Sequence, residues 1–434
     1  MLKKFLKYSI PSSLSMFISS LYTIIDGIFV GRGVGALGLA AVAIAMPATI
    51  ALFGLATMFA VGGGTLVSKN FGAGDKDKAV YVFRQAFKFI IILSSIISLI
   101  FVIFAEPVVT LLGATEKLRG LSAEFLRYYS LFCIPSLIGI TLNGFIRNDG
   151  RPKLAMVSSM MGAVVNVLLD YVFIFSLHMG VKGAAIATGL GQVVTIAIIL
   201  PHFLNKRGQL TFGNVKLETK IIKEIFTMGF PSFFAETAFS IIIFFYNIVL
   251  GIYMGEKGIS SYSIINYITT NIYMMLLGVS LGAQPLISYY FGAKNTKKMF
   301  TTYKLSLRVS VVVNFIFAFI CFIFGRKIIG LFTSDIELIN ISYIGLNITN
   351  IAYFITGLNL STSMYYQAIE MPKFSNLICA FRSFIFLPII LFTLAHFYGT
   401  NGIWASMIFS EILSFVAISI FTSVRINTRK AISA

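Results

Sequence analysis

Apolar runs of membrane-crossing length follow one another along almost the whole chain, and few folds accept that pattern. A helix needs roughly 20 apolar residues to cross the hydrocarbon. Lipid offers no partner for backbone polar groups, so runs of this length must satisfy their own as helices. Twelve runs are predicted. In the first half they cover residues 7–30, 40–67, 84–105, 123–146, 154–177 and 183–204, and in the second 225–250, 260–287, 303–325, 341–366, 374–397 and 402–424. The composition agrees: 57% hydrophobic against 12% charged, about half the charged share of a soluble domain. The longest polar stretch, about residues 205–223, reads as a connector. The fold class is an all-α polytopic membrane protein.

A net charge of +18 would suit nucleic acid, but its distribution argues otherwise. Lys3, Lys4 and Lys7 at the N-terminus fall on one side of the membrane. With them fall Lys69, Lys76, Lys78 and Arg84 after span 2, and Arg147, Arg151 and Lys153 after span 4. The connector, Lys294, Lys297, Lys298, Lys304, Lys373, Arg425, Arg429 and Lys430 continue the series, and far fewer basic residues fall opposite. The excess of Lys and Arg marks the cytoplasmic face, so both termini are predicted to be cytoplasmic, as an even span count requires. Nucleic acid is not expected as a partner; membrane lipids are. The start MLKKFLK leads into a run too long for a cleavable signal. Cys133, Cys321 and Cys379 all lie in apolar runs and suggest neither a disulfide framework nor a metal site.

The chain repeats itself at an offset of 220. Pro11 meets Pro231, Gly31, Gly35 and Gly38 meet Gly251, Gly255 and Gly258, and Gly62 meets Gly282. Phe71-Gly72-Ala73 meets Phe291-Gly292-Ala293, and Pro152-Lys153 meets Pro372-Lys373. Near span 6 the offset slips to 219, where Gly183 meets Gly402. Each half holds six spans, so both halves enter the membrane from the same side. The predicted organisation is two pseudo-symmetric six-helix lobes, 1–205 and 225–434, joined by a cytoplasmic connector over 206–224. Parallel repeats of this kind occur in secondary transporters that work by alternating access.

The halves differ in their charged residues. A carboxylate inside a membrane-length apolar run is expensive and reads as functional. Asp26 lies five residues before Gly31 at the end of span 1, and Asp170 lies near the end of span 5. At a rise of 1.5 Å per residue they stand about 7 and 10 Å in from the same surface. Asn166 is one turn from Asp170 on one face, and Thr188 of span 6 falls at matching depth. Burial and a neighbouring carboxylate both favour holding a proton; the neutral oxygens of Asn166 and Thr188 would equally complete a site for Na⁺. The plain alternative is that both acids face loops at the membrane surface.

The second half places Tyr246, Phe386 and Ile390 opposite Asp26, Asn166 and Asp170. Its own acids are Glu236, five residues past Pro231, and Glu411, opposite Gln192 at the slipped offset. Glu236 is read as a second ion site or a counter-charge for cationic substrates. Glu411 and Arg382 are expected to form a structural ion pair. Pro11 and Pro231 read as first-turn prolines or as bend points.

These residues carry a resemblance. The opening P-x14-D-G-x-F-V-G-R from Pro11, the Pro152-Lys153 turn, and N-V-L-L-D-Y-V-F-I-F from Asn166 followed by G-V-K-G-A-A-I-A-T from Gly180 closely resemble the multidrug and toxic compound extrusion (MATE) family. The likeness covers essentially the whole chain, and the DinF-type and MepA-type prokaryotic branch is the most similar. It implies a V-shaped pair of six-helix lobes and export of organic cations or amphipathic drugs against entry of H⁺ or Na⁺. It implies Asp26, Asn166, Asp170 and Thr188 as the ion-coupling residues, Pro11 as the bending proline of helix 1, and no further cofactor. The helix 10 segment Thr356-Gly357-Leu358-Asn359 lacks the acid of the NorM-type branch, which favours coupling through the first lobe.

The expected protein is a monomeric drug/cation antiporter in the cytoplasmic membrane of a prokaryote. One rival is a flippase for lipid-linked precursors of the same superfamily. It would need basic residues in the central cavity, whereas the intramembrane charges read as acidic except Arg382. A membrane enzyme is disfavoured: His178, His202 and His396 lie near span ends, and no protease motif falls in a suitable span.

Overall fold

The structure, a computed structural model, describes the backbone of residues 1–433. The side chains of residue 36 and of residues 422–434 lie outside the description, including three from the charge count, Arg425, Arg429 and Lys430. Twelve membrane-length helical spans are present. Span 1 is Leu2–Gly33, span 2 Ala36–Gly72, span 3 Lys76–Ile103, span 5 Pro152–Ser176 and span 6 Gly180–Leu204. Span 4 is a bent pair, Glu116–Leu131 and Cys133–Asn148, meeting at 55°. A short helix, Ala105–Leu111, precedes it.

Spans 7 and 8 form one continuous helical ribbon, Thr219–Gly292, broken at Gly255 (φ 60°, ψ −147°). Spans 9 and 10 are Thr296–Ile329 and Ile336–Ala368. Spans 11 and 12 run from residue 372 to 433 and break at Gly399 (φ 57°, ψ −136°). The helices overrun the predicted runs by several residues at their polar ends, because helix geometry continues beyond the hydrocarbon where water meets the last turns.

The repeat survives in the backbone. Gly255 has its counterpart in Gly35 (φ 88°), and Gly399 in Gly180 (φ 62°). All four turn a helix sharply into the next with φ values that a side chain resists.

The lobes meet on the side that bears the N-terminus, and the contact is itself duplicated. A Cβ on Gly62 would run into backbone at Ile225 and Gly229 of span 7. One on Gly282, its repeat partner, would run into Ser9 of span 1, the repeat partner of Gly229. Further along, Gly72 lies against the Tyr289 carbonyl and Gly292 against that of Lys69. Small residues let backbones approach this closely and gain dispersion energy that lipid does not compete for. On the other side Met46 of span 2 and Tyr267 of span 8 are exposed, and the lobes diverge there around a central cavity.

The connector is bound rather than slack. Arg84 of span 3 donates to the Thr211 carbonyl and hydroxyl, Gln85 to the Lys216 carbonyl and Lys88 to that of Val215. Asp149, whose carboxylate is fully buried, bonds His202 at 2.7 Å and the Gln209 N–H at 2.9 Å. Leu210 enters the first lobe's core. Span 7 begins at Thr219, six residues earlier than predicted.

Candidate functional site

Spans 5 and 6 approach so closely that a Cβ on Gly191 would lie 2.7 Å from the Gly162 carbonyl and 3.1 Å from the Asn166 Cβ. This contact sets Asn166 beside Thr188, whose hydroxyl accepts from the Asn166 amide at 3.5 Å while donating to the Ala184 carbonyl at 3.0 Å. One turn along span 5, Asp170 interacts with Asn166 and with Asp26 of span 1. The four side chains predicted to share a level are therefore contiguous: Asp26, Asp170, Asn166, Thr188. The α-helix gives way to a π-helix, Tyr171–Ser176, directly after Asp170, a local unwinding often found at functional sites.

The cluster is short of donors. Asp170 is fully buried and neither of its carboxyl oxygens has a hydrogen-bond partner, nor has Asp26 Oδ1 or Asn166 Oδ1. Buried oxygens of this kind are costly unless something positive meets them. A proton held between the carboxyl groups would do so, and so would a small hard cation, which takes oxygen ligands. Among the described residues no three His, Cys, Asp or Glu side chains converge, so the chemistry suits an alkali ion or a proton better than a transition metal.

Two residues went unnoticed in the sequence. Tyr22, one turn before Asp26, and Tyr129 of span 4 lie within electrostatic reach of Asp26 and line the central cavity. The i, i+4 spacing from Asp26 was the available signal for Tyr22; nothing local marked Tyr129.

The cavity has a volume of about 720 Å³ and lies between the lobes, within the usual range for small-molecule sites. Asn166 and Thr188 line it; Asp26 and Asp170 are not among its lining residues. Glu236 of span 7 also lines it, half-buried and without a hydrogen bond or ion pair among the described residues. Arg147 corrects the sequence reading. It belongs to the last turn of span 4 rather than to a loop, is 7% exposed, and lines the cavity. Arg382 is thus not the one intramembrane cation.

In the second lobe Arg382 Nη2 lies 2.6 Å from Glu411 Oε1, both buried, as the expected ion pair. Asn359 of span 10 donates to Glu411 Oε2 at 2.5 Å. An acid therefore does reach the span 10 position, supplied from span 12, but Arg382 neutralises it. Pro11 is the tenth residue of the helix Leu2–Gly33 and Pro231 the thirteenth of Thr219–Gly292, both well past the first turn. The first-turn reading holds for neither.

Comparison with known proteins adds an independent view. The MatE family model matches residues 11–172 and again 231–394, reproducing the offset of the repeat. The multidrug export protein MepA of Staphylococcus saprophyticus is 26% identical over 417 residues, covering 96% of this chain and 92% of its own. That of Staphylococcus aureus is 26% identical over 422 residues, with 96% and 92% covered. A crystal structure of a MATE protein in complex with MaD3S superposes with a TM-score of 0.92 at 25% identity, covering 99% of this chain and 97% of that one. The outward-facing conformation of a multidrug resistance MATE family transporter of the MOP superfamily gives 0.93 at 24% identity over the same shares.

Proposed function

Because the chain belongs to the MatE family, whose model matches both its halves, we propose that it is a secondary active exporter. It moves organic cations and amphipathic drugs out of the cell in exchange for H⁺ or Na⁺. The observation that carries this reading is the donor-poor cluster of Asp26, Asp170, Asn166 and Thr188 beside a drug-sized cavity. The relatives named as multidrug export proteins support the same activity.

Coupling follows from shared helices. Tyr22 faces the cavity and Asp26 faces Asp170, one turn apart on span 1. Cargo against Tyr22 and an ion at Asp26 therefore bear on the same segment. Pro11 lacks the N–H that would bond the Lys7 carbonyl, which leaves span 1 a soft point where a bend costs least. The moving bodies are the lobes 1–205 and 225–434. Residues 206–218, the part of the connector that precedes span 7, travel with the first, to which their hydrogen bonds tie them. In this reading the sealed side is cytoplasmic, since the basic residues gather there, and the cavity opens outward. Glu236 offers the cavity's counter-charge to cationic cargo. The transporter acts as a monomer in the cytoplasmic membrane of a prokaryote.

The test is transport of a fluorescent organic cation in proteoliposomes, with ΔpH and ΔNa⁺ imposed separately. Movement under ΔpH alone makes the cluster a proton site, and movement that requires Na⁺ makes it a cation site. No movement under either gradient overturns the antiport reading.

A further inference from the structure

The central cavity holds one basic and one acidic lining residue among those described, and they stand on opposite lobes: Arg147 on span 4 and Glu236 on span 7. They do not pair with each other; every ion pair among the described residues lies elsewhere.

Arg147 is the odder of the two. It is 93% buried by its exposure of 7%, and no hydrogen-bond acceptor or acidic partner meets its guanidinium among the described residues. The helix C-terminus favours a cation there, but the nearby carbonyls are engaged. Those of Phe145, Ile146 and Arg147 already accept from the N–H groups of Asp149, Arg151 and Gly150 in the turn that follows. Asn143, one turn earlier on the same face, spends its amide on the Ala155 carbonyl and the Ser159 hydroxyl. A guanidinium does not shed its proton in proteins, so one largely withdrawn from water at the cavity wall without a partner is costly. The fork geometry of its donors matches a carboxylate edge with two parallel bonds.

We propose that Arg147 is a subsite for the carboxylate of an amphipathic cargo, so that the cavity takes zwitterions end to end, with the cationic group toward Glu236. The proposal rests on the drug-export reading and names a substrate class within it. A single guanidinium with no second basic neighbour in the lining suits a singly charged carboxylate better than a phosphate, whose greater charge calls for several cations. The opposite placement of the two charges also makes the cavity dipolar, which selects orientation as well as charge.

The test uses the full-length protein in proteoliposomes with two fluorescent dyes that differ at one group: a rhodamine with a free carboxylate and its methyl ester. In the Arg147→Gln variant the ratio of acid to ester transport should fall about tenfold or more, as expected for losing a charge-assisted bidentate contact. Arg147→Lys, which keeps the charge without the fork, should recover part of that ratio. In detergent without cargo, Arg147→Gln should melt at the same temperature as the wild type or higher, since an unpaired buried charge has gone; the free-acid dye should stabilise the wild type more than the variant. An equal loss of both dyes, or a lower melting temperature without a change in ratio, assigns Arg147 a structural role and overturns the subsite while leaving drug export standing. Wild-type protein that moves neither dye overturns the export reading and the subsite with it.

Discussion

The Lys69 ammonium of span 2 lies 2.6 Å from the Glu370 carboxylate at the turn after span 10, an ion pair that crosses from one lobe to the other on the sealed side. The repeat does not duplicate it: the positions that correspond to Lys69 and Glu370 are Tyr289 and Gly150. The glycine contacts of the seal are symmetric, and this charge pair is the asymmetric addition to them.

Glu370→Gln should therefore loosen the sealed side without unfolding either lobe. Partly exposed pairs contribute about 0.2–1 kcal/mol, so a shift of up to about fivefold toward the opposite opening is expected. Spin labels across the far-side mouth would read it as a shorter distance population. The swap Lys69→Glu with Glu370→Lys should restore the wild-type distribution, and a swap as perturbed as the single variant would deny the latch.

Asp26→Asn and Asp170→Asn should each reduce gradient-driven export to background while leaving insertion and folding intact. Each removes one of two facing carboxyl groups, so neither leaves a new unpaired charge. Thermal stability should hold within a few degrees. Wild-type transport by either variant in proteoliposomes would remove the first-lobe coupling model.

Gly191→Val should be destabilising and should uncouple the survivors. Even the first added carbon would lie 2.7 Å from the Gly162 carbonyl, and overpacking of this kind costs about 1–3 kcal/mol. Forcing spans 5 and 6 apart also separates Asn166 from Thr188. A lower melting temperature together with a weaker response to the coupling ion is expected; the first without the second would show that the ion site tolerates the shift.

Arg382→Met should cost about 3–5 kcal/mol, since it leaves Glu411 buried and uncompensated. The double variant with Glu411→Gln should regain most of that loss. Ion-driven transport by the double variant should keep its wild-type gradient dependence, measured as the ratio of rates with and without the ion. Loss of that dependence would move the coupling site into the second lobe.

Much of this molecule is written along the chain. The twelve spans and the 220-residue repeat follow from apolar length and spaced glycines. Both are local signals that lipid enforces because a helix must satisfy its own backbone. Depth along a straight helix is nearly a matter of counting, so Asp26, Asp170, Asn166 and Thr188 could be set at one level, and Arg382 could be matched with Glu411, from sequence alone.

Azimuth cannot be counted in this way. Arg147 at a span end reads as an interfacial lysine or arginine would, and only the packing of span 4 against its neighbours turns it into the cavity wall. Tyr22 and Tyr129 acquire meaning from the same source. The connector's polar residues look like a solvated linker until Arg84, Gln85 and Asp149 take its backbone. The sequence by itself determined which segments cross the membrane, how they repeat and how deep their charges sit, because hydrophobic length and helical rise act within one segment. Only the tertiary structure decided which of those charges meet, which are neutralised and which face the cavity, because contact between helices depends on their mutual rotation, set by close approach at residues such as Gly62, Gly191 and Gly282.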